Sequence, residues 1–160
     1  MVQPMEKIDI AKNFELLSDK DNNTAYKALQ VLQDLSEKTD AVYPYMDQLG
    51  DMMDSDHSYI RTRALTLIAY NAKWDQDYKI DEMIDRYLQH IMDEKPITAR
   101  QCIKLLPMIA KSKPDLAEGI TAALNRADVS RYTGSMQPLV YKDIQKALKE
   151  IKSSAPLGAV

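Results

Sequence analysis

The chain has 160 residues, with 45% hydrophobic and 28% charged side chains and a formal net charge of −3. A balance this mild gives no argument for a nucleic-acid binder or a membrane-surface protein, although charge can still be segregated locally. The single Cys102 excludes an intramolecular disulfide and a cysteine-based metal cluster, and suits a reducing compartment, so a soluble cytoplasmic protein is the expectation.

The acidic residues Glu6, Asp9 and Glu15 near the start do not fit a signal or transit peptide. No apolar run approaches the roughly 18 residues of a membrane span. Only 4 glycines and 1 phenylalanine stand against 9 methionines and many Leu, Ile and Ala, which favours helices over strands.

In chain order, apolar spacing predicts a helix over Met5 to Leu17, broken at the polar run Ser18 to Asn23, whose side chains suit helix caps. Ala25 to Glu37 forms the next, with Ala28, Leu29, Val31, Leu32 and Leu35 inward. Thr39 or Asp40 is expected to cap a helix over Val42 to Met53, with Pro44 in its first turn. The stretch Asp54 to Ala72 supplies an acidic turn and then a helix with Ile60, Ala64, Leu67 and Ile68 on one face.

A polar link containing Trp74 leads to a helix over Ile80 to Met92, and Pro96 opens another through Lys111. Pro107 lies inside that helix, where the missing N–H predicts a kink. Pro114 and Asp115 open a helix to about Arg126. A loop from Ala127 to Gln137 follows, and a last helix runs from Pro138 to Lys152. The expected organisation is one domain over residues 1–152 with a flexible tail at 153–160.

Ala28, Ala64, Cys102 and Ala147, each followed by a bulky aliphatic, fall into register about every 36 to 38 residues, with the last interval stretched by the loop. Such a period predicts an all-α fold of about four stacked helical hairpins. Within it, MDQLGDMMDSDHSYIRTRALTLIAYNA resembles a HEAT repeat: a first helix, an Asp-containing turn, then Ile60-Arg61, Ala64 and Leu65 opening a second helix. The resemblance implies a right-handed α-α superhelix. In it the first (A) helix of each hairpin lines the convex side, and the second (B) helix lines a concave side that binds partners.

Sorted by helix type, charge separates. The B helices carry a positive surplus and the A helices a negative one. Aligned by the period, Lys27, Arg63, Thr66, Tyr70, Arg100, Gln101, Lys104, Lys146 and Lys149 fall on an outward B-helix ridge. That ridge is the candidate partner-binding face, suited to an acidic peptide or partner helix. The alternative is a nucleic-acid backbone on the same face. A solvated face of unselected sign is the plain structural reading of the same residues.

In HEAT repeats the arginine at the Arg61 position pairs with a turn aspartate, so the resemblance implies a structural ladder with Asp56, Asp54 or Asp21 as partner. Neither histidine has a second ligand at metal spacing, and His57 and His90 read as surface or capping residues. Cys102 reads as a buried inert thiol, and the Asp81/Asp85 and Asp47/Asp51 pairs as solvent charges. No catalytic group, metal or cofactor is expected.

Overall fold

Asp9 opens the first helix with its carboxylate, which accepts the Lys12 backbone N–H at 2.9 Å. The computed structural model describes residues 8–154. The expected helical start at Met5 and residues 155–160 of the expected 153–160 tail lie outside them, while Ser153 belongs to the last helix and Ser154 caps it. Among the described residues the chain forms α1 (Ile10–Leu16), α2 (Asn22–Lys38), α3 (Met46–Met52), α4 (Ser58–Tyr70), α5 (Lys79–Gln89), α6 (Pro96–Ser112), α7 (Ala117–Arg126) and α8 (Met136–Ser153), joined by short 3₁₀ turns.

These elements make an all-α helical repeat of four hairpins, α1/α2 to α7/α8. Its B helices form one layer: α4 packs between α2 and α6, and α6 packs against α8. One core runs through the stack and contains Leu17, Leu32, Leu49, Leu65, Ile68, Ile80, Ile103, Ile109, Ile120 and Val140. Burying each such aliphatic side chain contributes about 1.5–3 kcal/mol. The central helix α4 is buried almost all round, from Arg63 to Ala69, because it has helices on three sides. Gly50 allows α5 to approach α3, since a Cβ there would stand 3.2 Å from Met83 Cε.

Local chemistry places the boundaries. Asp21 caps α2, accepting from Asn23 N–H at 3.2 Å and from the Thr24 hydroxyl at 2.8 Å. Neither Thr39 nor Asp40 caps the following helix. Thr39 Oγ1 closes a turn with Ala41 N–H, and a 3₁₀ turn at Tyr43–Tyr45, which absorbs Pro44, leads into α3. α6 runs on through Pro107 to Ser112. The final helix starts at Met136, two residues before Pro138, and a 3₁₀ turn at Val129–Arg131 occupies part of the expected loop.

Polar contacts set the register between hairpins, and they recur at one interval. Tyr43 donates to Asp75 (2.6 Å), Lys79 pairs with Asp47 (3.0 Å), Arg86 with Asp54 (2.7 Å) and Arg61 with Asp93 (2.7 Å), each across 32 residues. Lys113 meets Asp81 at the same interval. Asp75 is the most heavily used. Its buried carboxylate accepts from Tyr43, from the N–H groups of Lys79 and Ile80 that open α5, and from Lys113 Nζ at 2.6 Å. Burial pushes its carboxyl pKa up, but those four donors outweigh burial and hold it below the usual carboxylate range. Tyr78, just before α5, adopts φ 58°, and Lys113 Nζ lies 5.0 Å from its ring centroid.

Candidate partner-binding face

The residues assigned to the outward ridge divide into two groups. Arg63 is 7% exposed. Its guanidinium donates to the Leu17 carbonyl at 2.8 Å and to Asn22 Oδ1 at 3.2 Å, so it ties α4 to the turn of the first hairpin. Burial is the first cause that pulls its pKa down. Thr66 is buried as well, donating to the Thr62 carbonyl at 2.8 Å and accepting from Gln101 at 3.4 Å. Tyr70 accepts from Gln33 at 2.7 Å. Arg100 donates to Asp143 of α8 at 2.6 Å, and this bond raises its pKa.

These five side chains bridge neighbouring B helices instead of standing free. The reason is spacing. Adjacent helix axes lie about 8–10 Å apart, so a long polar side chain on the flank of one helix reaches the next.

The second group faces solvent. Lys104 on α6 and Lys146 and Lys149 on α8 are exposed, and Lys146 keeps only a 3.9 Å contact with Glu150. Lys142, one turn before Lys146, joins them on the stripe opposite the buried Val140, Ile144, Ala147 and Ile151. Lys27 is exposed too. At 100° per residue it shares the outward stripe of α2 with Asp34, one heptad on, so its charge stands beside an acidic neighbour.

The basic ridge therefore narrows to the outer face of α6 and α8. On α2 the same face sets Asp34 and Glu37 against Lys27, and on α4 it presents the uncharged Tyr59 and Thr62. A shallow depression of about 330 Å³ opens at the C-terminal ends of α2, α4 and α6, lined by Glu37, Tyr70, Lys73 and Met108.

Arg61 requires a correction. Its carboxylate partner is Asp93 of the next hairpin, held by Nε at 3.0 Å and Nη2 at 2.7 Å. Asp56 contributes only its backbone carbonyl, which accepts from Nη1 at 3.2 Å, beside that of Ser55 at 3.0 Å. Asp54 is engaged elsewhere, by Arg86 and His90, and Asp21 caps α2.

His90 is buried, with its ring nitrogens 2.8 Å from Asp93 Oδ2 and 3.2 Å from Asp54 Oδ1, so it is a structural bridge and not a surface residue. Tyr132 donates to the Asp93 carbonyl at 2.6 Å, which pins the loop before α8 to the same point. Sequence spacing could not single out Asp93, because its role depends on the stacking of the third hairpin on the second. Cys102 is fully buried.

Among the described residues no group of three or more His, Cys, Asp or Glu side chains is placed to hold a metal ion, and no helix is long and apolar enough to cross a membrane. The sequence profile of the HEAT repeat domain matches residues 2–148. The chain belongs to the HEAT-repeat family. It matches no curated protein and no solved structure. HEAT repeats form helical-repeat scaffolds for protein interactions. Their hairpin stacking accounts for the two outcomes seen here: arginines near the starts of the B helices are consumed between units, and lysines further along stay in solvent.

Proposed function

We propose that this HEAT-repeat chain is a non-enzymatic interaction module that binds an acidic protein segment on the outer face of its B helices. The observation that carries this reading is the division of labour among B-helix cations. Arg61, Arg63 and Arg100 are spent on internal contacts, whereas Lys104, Lys142, Lys146 and Lys149 stand together, exposed, on two adjacent helices. Lysines held this way attract carboxylates through solvent without a fixed geometry, which suits an acidic segment of variable sequence. The free, buried Cys102 fits a cytoplasmic setting.

Nucleic acid is the weaker reading. Asp34 and Glu37 on α2 interrupt the positive face, and the arginines that would grip phosphates bidentately are already engaged. The test is binding of a glutamate-rich peptide and of duplex DNA to wild type and to Lys104→Glu/Lys149→Glu, each over a salt series. Loss of peptide binding in the double variant supports the reading. Peptide binding that survives the reversal overturns it, and a steep log–log salt slope on DNA moves the assignment to nucleic acid.

A further inference from the structure

The B-helix layer carries a second feature beside its lysines. Tyr26, Tyr59 and Ile97 are 57%, 61% and 58% exposed, one on each of α2, α4 and α6, all near the N-terminal ends of those helices. At 100° per residue Tyr59 and Ile97 lie on the side of their helices away from the buried stripe, whereas Tyr26, a heptad before Gln33, lies on the flank of α2 toward α4, so the apolar row runs over α4 and α6 with Tyr26 at its edge. Lys104 follows Ile97 by seven residues on α6, about 10.5 Å along the helix axis at 1.5 Å per residue. The apolar row and the basic patch are thus separated by about the 10–12 Å width of one α-helix.

The polar side chains between the two are already used. The Thr62 and Thr98 hydroxyls bond each other at 2.9 Å, Thr66 donates to the Thr62 carbonyl, Gln101 donates to Thr66, and Gln33 donates to Tyr70. An extended segment laid here would bring a row of backbone N–H and C=O groups to a surface with few free partners for them, whereas a helix satisfies its own.

We propose that the segment bound across the B helices is an amphipathic α-helix, its apolar edge on Tyr59 and Ile97 and its acidic edge over Lys104 and Lys149. This rests on the reading above that the lysine face is the binding surface, and it names the partner's conformation and pattern. Neighbouring B helices about 8–10 Å apart are crossed by about six or seven residues of a helix, so the partner presents an apolar side chain at close to heptad spacing. A helix of about 20 residues spans about 30 Å, enough to cross the row. Charge sets its position: the acidic part lies over α6 and α8, where four lysines stand exposed, and the less charged part lies toward α2, where Asp34 and Glu37 outnumber Lys27.

The experiment is fluorescence anisotropy with three labelled glutamate–leucine–alanine peptides of about 20 residues and equal net charge. One has its leucines on a single helical face, one has them scrambled, and one keeps the first pattern with a central proline. The amphipathic peptide is expected to bind and to gain helical circular dichroism on the protein. The other two should be weaker by about tenfold or more.

Tyr59→Ser/Ile97→Ser should weaken the amphipathic peptide by about tenfold and leave weak binding of the scrambled one unchanged, with only a small drop in thermal midpoint from losing the Arg63 guanidinium contact, 5.9 Å from the Tyr59 ring centroid. Lys104→Glu/Lys149→Glu should weaken all three. If the proline peptide binds as tightly as the amphipathic one and both are lost on lysine reversal, the helical partner is wrong while the lysine face stands. If no peptide binds, or binding ignores the lysine reversal, both readings fail.

Discussion

Arg61 of α4 and Asp93, just after the third A helix, form the buried joint between the second and third hairpins. Two hydrogen bonds connect them at 2.7 and 3.0 Å, and their side chains are 7% and 3% exposed. Around them Arg61 also holds the Ser55 and Asp56 carbonyls, Asp93 accepts from the Lys95 N–H, and Tyr132 reaches the Asp93 carbonyl from the fourth hairpin. One pair thus fixes three units relative to one another. Removing one partner strands the other charge away from water, which typically costs about 3–5 kcal/mol. Arg61→Ala is expected to lower stability by that amount in urea denaturation. Arg61→Lys should recover little, because an ammonium cannot reproduce the two-pronged contact. Lys79→Ala, which breaks the solvent-exposed pair with Asp47, should change the midpoint only slightly.

The same carboxylate gives the fold a pH dependence with a definite sign. Burial pushes the Asp93 pKa up, but hydrogen bonds from His90, from Arg61 and from the Lys95 N–H pull it further down, leaving it well below the ordinary carboxylate range. Asp75 is depressed as well, by Lys113, Tyr43 and the first N–H groups of α5 acting against burial. A carboxylate whose folded pKa lies below its unfolded value of about 3.9 stabilises the protein above that value, and the contribution is lost as pH falls further. Urea midpoints are therefore expected to hold from neutral pH to about pH 5 and then to fall steeply below about pH 4. Asp93→Asn should start lower at neutral pH and fall less steeply in acid. An equal acid slope in that variant would remove Asp93 from the explanation.

How much of the structure can be read in the sequence depends on what each signal encodes. Apolar spacing reports which face of a helix is buried, and Ala28, Leu32, Ala64, Ile68, Cys102, Ile103 and Ala147 all lie inside as the period required. The same spacing cannot tell a side chain facing solvent from one on the flank between two stacked helices. Arg63, Thr66 and Arg100 occupy that flank, so they read as outward residues but are spent on Leu17, Thr62 and Asp143. Asp93 was missed for a related reason. Its partner is 32 residues away, and only the stacking distance selects it over the nearer Asp54 and Asp56. Lys104, Lys146 and Lys149 were legible because they sit opposite the core stripe, where no neighbouring helix reaches.

Charge reversal at the two kinds of cation should therefore give opposite results. Arg63→Glu would place a carboxylate beside the Leu17 carbonyl and Asn22 Oδ1, both acceptors, at a position 7% exposed. Leaving buried polar groups unpaired costs about 1–3 kcal/mol each, and more for a charge, so the variant should lose at least about 2 kcal/mol. Lys104→Glu, on an exposed surface, should stay within about 0.5 kcal/mol of wild type. Thermal midpoints of the two single variants decide the point. Equal midpoints would mean that Arg63 is not tied into the first hairpin.

Cys102 offers a readout of the whole stack through one atom. It takes the small-residue position of α6 that Ala64 takes in α4, and its Sγ lies 3.6 Å from the Tyr87 carbonyl, with no solvent exposure. Burial, with the Asp93 charge adding to it, pushes the thiol pKa well above its ordinary value, so the reactive thiolate is suppressed twice, by access and by ionisation. A disulfide reagent should leave the folded protein unmodified and react fully once urea unfolds it. Under native conditions the labelling rate should follow the opening of the core, and it should rise in Arg61→Ala, whose joint holds the second and third hairpins together. Rapid labelling of the folded wild-type chain would mean that α6 is not sealed against α4 and α5.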